Sequence, residues 1–405
     1  VRSPALLILT VCLVEVLGMS AFAAFLTLIP LFQAGWGISN TQAGWISGVY
    51  FAGYIAAVAI LTALTDRIDA KHVYLWSMAL SALSALGFAL FASGVWSASL
   101  WRLLQGVGLA GTYMPGLKAL TDVLPQRFQN RGTAFYTSSF GVGASLSYYL
   151  SGVLSHSLSW QWTFGLLAIG PAVAFLMATR VFESRPPAAE RPATRLLDFR
   201  PVLANRPALG FTLAYTVHNA ELFAFRSWIV AFLVFSQSHQ TAGAFGAGVS
   251  AATIAALLNL LGMPSSVVVN ELAARLGRQR TIIGVMVLSA LVGTAFGFSA
   301  TLVFWVVLML AVAHAITITA DSATITAGVM KAADPGYKGT TMAMYSVVGF
   351  VGAFLGPIIF GAVLDLAGGE QRPAAWGYAF ASMAVILMLG PIAVAKLVGL
   401  KQRMY

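Results

Sequence analysis

Twelve apolar stretches recur along this 405-residue chain, each close to the roughly 20 residues a helix needs to cross a bilayer. They fall near 5–32, 42–64, 73–93, 97–119, 133–155, 161–182, 207–235, 243–267, 281–299, 302–328, 340–364 and 375–397. Backbone amides in lipid must be satisfied internally, which leaves only helices and closed barrels. The period-two alternation of barrel strands is absent, so the sequence predicts an all-α integral membrane protein of twelve transmembrane helices. With 59% of residues hydrophobic and 9% charged, a water-soluble globular domain is excluded.

Away from their ends, these stretches carry ionisable residues in only four places. Glu15 lies in the first, Arg102 in the fourth, His218, Glu221 and Arg226 in the seventh, and His314 and Asp321 in the tenth. A charge at a membrane-helix centre costs about 2.5–3.5 kcal/mol on insertion scales, so such residues face a watery cavity or a partner. One helix in every three therefore lines a shared path. That pattern predicts a transporter.

The net charge of +10 suggests nucleic acid until its placement is read. Taking twelve crossings, one set of loops holds Arg67, Lys71, Arg127, Arg131, Arg180, Arg185, Arg191, Arg195, Arg200, Arg206, Arg275, Arg278, Arg280, Lys331 and Lys338. Arg2, Lys396, Lys401 and Arg403 join that side through the termini, while Arg372 alone lies opposite. The positive-inside rule then puts both termini in the cytoplasm of a multi-pass protein, expected in a bacterial inner membrane. Nucleic acid is not an expected partner. The lipid bilayer is, and a monomer is expected. Cys12, the single cysteine, excludes an internal disulfide and a thiolate metal cluster. The first stretch is too long for a signal-peptide core and is expected to be retained.

The connector at 183–206 separates an N-terminal six-helix bundle, 1–182, from a C-terminal one, 207–405. Internal similarity supports this division. Arg131-Gly132-Thr133 recurs as Lys338-Gly339-Thr340, Glu15 as Glu221, and the loop from Leu64 to Lys71 as the loop from Leu272 to Arg280. Parallel six-helix repeats are one plan of secondary transporters that work by alternating access. On these residues the chain resembles the major facilitator superfamily over essentially its whole length. That family's loop between helices two and three reads G-x-L-x-D-R-x-G-R-K; Leu64, Asp66, Arg67 and Lys71 match it, while Thr62, Asp69 and Ala70 depart. The second copy keeps Leu272, Arg275, Gly277, Arg278 and Arg280, with Ala274 in the acid's place. Arg102-Leu103-Leu104-Gln105-Gly106 matches the family's R-x-x-Q-G motif in helix four. Helix five, Phe140 to Ser145, lacks the proline of the family's drug antiporters; a similar Gly-Pro run stands in helix eleven, Gly349 to Gly361.

Glu15 lies about 15 Å into its stretch, near the bilayer midplane. A carboxyl in a low-dielectric setting can hold and release a proton. Glu221 and His218, three residues apart, share a helix face where a contact would suit a proton relay. The resemblance implies that Arg102 assists the same coupling. Arg226, with a fork suited to carboxylates, is expected to bind substrate together with His314, Asp321, Asn219, Tyr215, Gln105 and Tyr113. Asp66, Arg67, Arg275 and Arg278 are expected to gate by ion pairs that break as the halves rock. No G-x-x-x-x-G-K-[ST] loop, catalytic triad or H-E-x-x-H is present, so neither ATP-driven transport nor an enzyme is expected. Neither a cofactor nor a bound metal is expected. The sequence thus predicts a proton-coupled carrier of a small organic solute. The alternatives are a drug/proton antiporter, an uncoupled facilitator and a divalent-metal transporter using Glu15, His218, Glu221 and His314.

Overall fold

A computed structural model of the chain describes residues 3–185, 199–241, 244, 246 and 248–399. Most of the connector (186–198, with Arg191 and Arg195), along with Arg2, Lys401 and Arg403, lies outside the described residues. Within them the chain is helical, with no strand. Nine helical spans among the described residues are long and apolar enough to cross a membrane. The three other expected stretches are helical too. Two are continuous, Val95–Thr121 and Gln126–Ser157, and are richer in Gly, Ser, Thr and Tyr. The first is interrupted.

The helices are α1 (Pro4–Gly18), α2 (Ala24–Thr27), α3 (Ile29–Trp36), α4 (Asn40–Leu64), α5 (Ala70–Phe91), α6 (Val95–Thr121), α7 (Gln126–Ser157), α8 (Trp160–Leu167) and α9 (Ile169–Val181). They continue as α10 (Arg200–Ala204), α11 (Arg206–Ser238), α12 (Ala251–Leu276), α13 (Arg278–Phe298), α14 (Phe304–Ala320), α15 (Ser322–Ala332), α16 (Lys338–Leu366), α17 (Pro373–Leu387) and α18 (Leu389–Ala393). They form two compact units, residues 1–32 with 49–193, and residues 33–48 with 194–405.

In the first unit, serines manage the interruptions in the first and sixth stretches. Backbone groups freed inside a membrane helix need partners. Ser147 Oγ donates to the Ser20 carbonyl at 2.6 Å and accepts from the Ala23 amide at 2.9 Å, and Ser20 Oγ donates to the Leu167 carbonyl at 2.6 Å. The core beside them packs Val11, Val14, Tyr74, Leu120, Tyr136 and Phe182. In the second unit α11 is buried along most of its length. Helix α16 approaches it so closely that a Cβ on Gly352 or Gly356 would strike the carbonyls of Thr216 or Ala220. Small residues permit such contact where lipid supplies no hydrophobic drive.

Candidate functional site

The first unit gathers its polar side chains around the middle of α1. Glu15 is 1% exposed, and Tyr136 Oη donates to its Oε2 at 3.0 Å. The Thr112 carbonyl competes for the same phenolic proton, also at 3.0 Å. Glu15 Oε1 is buried with no hydrogen-bond partner. From α6, Arg102 Nη1 donates to the Phe22 carbonyl at 3.1 Å and to Gln105 Oε1 at 3.0 Å, and its guanidinium stands 4.5 Å from the Tyr50 ring centre. At 1% exposure Arg102 does not snorkel to the interface. Its Nε and Gln105 Nε2 are likewise without partners. Glu15, Met19, Phe22, Tyr50, Gln105 and Thr112 line a small cavity of about 20 Å³. Tyr113 stacks at 6.1 Å on Tyr136, which places it behind the Glu15 donor. The cavity offers the Glu15 carboxylate and the Gln105 amide between aromatic walls, with Arg102 bonded behind Gln105.

In the second unit the three-residue spacing of His218 and Glu221 resolves differently from the contact it allows. His218 Nδ1 approaches Asp321 Oδ1 at 2.8 Å, an ion-pair distance without the angles of an aligned hydrogen bond. Glu221 instead accepts from Ser289 Oγ of α13 at 2.9 Å. His314, which shares a helical stretch with Asp321, turns to an aromatic box. The rings of Phe225, Phe296 and Phe380 lie 5.1, 6.0 and 6.0 Å away. Glu221 and His314 line one tightly closed pocket with Phe225, Phe360 and Phe380. Gly293 makes room for the imidazole, since a Cβ there would lie 2.7 Å from its Cε1.

The remaining residues expected at the site pack nearby. Asn219 Nδ2 donates to the Gly349 carbonyl at 3.1 Å, and Tyr215 stacks on Tyr345 at 4.1 Å and on His218 at 5.9 Å. Arg226 Nε donates to Asn259 Oδ1 at 3.0 Å, with its guanidinium 5.2 Å from the Phe223 ring centre. Among the described residues no three His, Cys, Asp or Glu side chains gather as metal ligands. Asp66, Arg67 and Arg275 are exposed, whereas Arg278 Nη1 donates to the Thr324 carbonyl at 2.7 Å.

Sequence reasoning missed the hydroxyl and amide partners Ser289, Asn259 and Ser147. It also missed Asp69, read only as a departure from the loop motif. Its carboxylate caps α5 at the Lys71 amide (2.9 Å) and accepts from Ser184 Oγ (2.5 Å) and the Arg185 amide (2.9 Å). The available signal was an acid one residue before a helix start.

The described residues thus form a helical bundle of membrane-length spans in which buried acids line internal pockets. Residues 11–357 match the model of the Major Facilitator Superfamily, and the chain belongs to that family. An uncharacterised MFS-type transporter, YcaD, of Salmonella paratyphi B is 29% identical over 165 residues, 40% of this chain and 42% of its own. A probable multidrug-efflux transporter of Mycobacterium tuberculosis is 27% identical over 166 residues, 40% of this chain and 34% of its own. The matched stretch thus spans less than half of these relatives. Two solved structures share the fold over nearly the full length. A bacterial homolog of the human lysosomal transporter Spinster, inward-facing and unoccupied, has TM-score 0.78 at 15% identity, covering 99% of this chain and 98% of its own. The nucleoside transporter NupG has TM-score 0.76 at 17% identity, covering 96% and 99%.

Proposed function

We propose that this chain moves a small organic solute by alternating access, driven by protons that bind at Glu15 and Glu221. The observation that carries this reading is the setting of the two acids. Each is buried, accepts from one neutral hydroxyl and lines a cavity, and neither forms an ion pair among the described residues. An ionised carboxylate so placed is costly, and a proton removes the charge. Arg102 and Gln105 orient the first cavity; His218, Asp321, His314, Asn219, Tyr215 and Arg226 shape the second unit's polar interior. Residues 1–182 and 207–405 are the two moving halves joined by 183–206, with both termini cytoplasmic in a bacterial inner membrane. Asp66, Arg67, Arg275 and Arg278 act at the ends of the helices as the gate.

The test uses proteoliposomes under an imposed pH gradient, screened with pools of organic anions, cations and neutral solutes. A solute-dependent pH change that disappears in Glu15→Gln or Glu221→Gln supports the reading. Solute flux without proton movement overturns it in favour of a uniporter. Drug/proton antiport is a second reading, favoured by the aromatic walls of Phe22 and Tyr50 beside Glu15 and by the efflux name of the mycobacterial relative. Efflux of a lipophilic cation such as ethidium from the same vesicles distinguishes it.

A further inference from the structure

The two acids stand at equivalent points of the internal repeat, 15 and 221, yet different residues from different elements surround them. Glu15 is met by a tyrosine of α7, in a cavity walled by α1, α4, α5, α6 and α9. Glu221 is met by a serine of α13, in a cavity walled by α11, α13, α14, α16 and α17. Every lining residue of the first cavity belongs to the first unit and every one of the second to the second unit. The titratable and charged neighbours of Glu15 are Cys12 on its own helix, Tyr50, Tyr74, Tyr136 and, across the cavity through Gln105, Arg102. Those of Glu221 are Asp321, already engaged with His218, and His314.

Resting on the proton-coupled reading above, we propose that Glu15 and Glu221 are two independent proton sites, one per unit, so that one cycle can carry two protons. A pair of acids that shared one site would titrate as a unit, each changing the other's affinity. Here each acid has its own hydroxyl donor and its own walls. The site in the second unit also neighbours the His218–Asp321 pair, a third ionisable element that the first lacks.

The experiment uses the purified full chain in detergent and needs no solute. A pH-indicator dye counts protons released on a jump from acid to alkaline buffer, and infrared difference spectra record the carboxyl C=O bands. Glu15→Gln and Glu221→Gln should each release one proton fewer per molecule, and the double variant two fewer. Tyr136→Phe should move only the band lost in Glu15→Gln, and Ser289→Ala only the band lost in Glu221→Gln. These two variants keep both acids, so they report even if a Gln variant fails to fold. If both single variants and the double variant lose the same one proton, or if Tyr136→Phe moves both bands, independence is overturned while proton coupling stands. If neither Gln variant loses a proton, the proton-carrier reading falls with it.

Discussion

His218 and Asp321 are each almost fully buried in the second unit and meet at 2.8 Å. Asp321→Ala leaves a buried imidazole without its polar partner, at an expected cost of about 1–3 kcal/mol. Thermal unfolding of the purified protein should show it as a lowered midpoint, with Asp321→Asn milder than Asp321→Ala. An unchanged midpoint in both variants would mean that the pair is not holding α11 to the α14–α15 junction. The ionisable members of both cavities were legible in the sequence because a charge within an apolar run is expensive and therefore conspicuous. Their partners were not. Serine, asparagine and tyrosine sit cheaply in a membrane helix, so Ser289, Asn259 and Tyr136 carry no signal of the tertiary bonds they make. Which of two acids His218 meets depends on how α11 is turned against its neighbours, and a spacing of three residues does not specify that.

At the scale of the element, the apolar runs located most helices to within a few residues, but the eighth, expected at 243–267, is Ala251–Leu276, and the fifth, expected at 133–155, begins at Gln126. The tenth expected stretch, 302–328, became Phe304–Ala320 and Ser322–Ala332. The breaks inside them were not visible. Residues 5–32 read as one continuous apolar run, yet regular helix stops at Gly18 and resumes at Ala24. A break in lipid is tolerated only if side chains take over the lost backbone bonds, and here Ser147 serves both Ser20 and Ala23. Ser147→Ala leaves a buried carbonyl and a buried amide unsatisfied at about 1–3 kcal/mol each. The expected result is a lowered unfolding midpoint, with Ser147→Thr closer to the parent because it keeps the hydroxyl. Equal loss in Ala and Thr would point to packing instead of hydrogen bonding. Close helix contact was better signalled. Gly352 and Gly356 repeat at a four-residue interval along one face of α16, and Gly352→Val is expected to abolish recovery of monodisperse protein by forcing it from the α11 backbone.

For the whole molecule, membrane-length helical stretches were readable because bilayer thickness fixes segment length, and nine such spans stand among the described residues. The grouping of residues 33–48 was not readable. By sequence they sit between the first two stretches, yet they cluster with residues 194–405. The cause is a cap supplied from far along the chain. Asp365 accepts from the amides of Asn40 (3.1 Å) and Thr41 (2.8 Å), from Asn40 Nδ2 (2.9 Å) and from Thr41 Oγ1 (2.5 Å). Glu370 adds a bond from Asn40 Nδ2 at 2.7 Å. A carboxylate at a helix N-terminus satisfies orphan amides and faces the positive end of the dipole, but a donor-acceptor match across more than 300 positions has no local pattern. Hydrogen bonds to a charged group contribute about 1.5–3 kcal/mol. Losing this set in Asp365→Ala is expected to favour release of the α4 N-terminus by about 2 kcal/mol, roughly thirtyfold. A cysteine placed at exposed Gln42 should then react with a membrane-impermeant maleimide faster by a comparable factor than in the Asp365 parent. Asp365→Asn should fall between, since it keeps the shape and some acceptor capacity but loses the charge. Equal labelling rates in all three proteins would show that residues 33–48 are held by the contacts of Trp45 with Phe354 and of Gly44 with the Pro357 carbonyl alone.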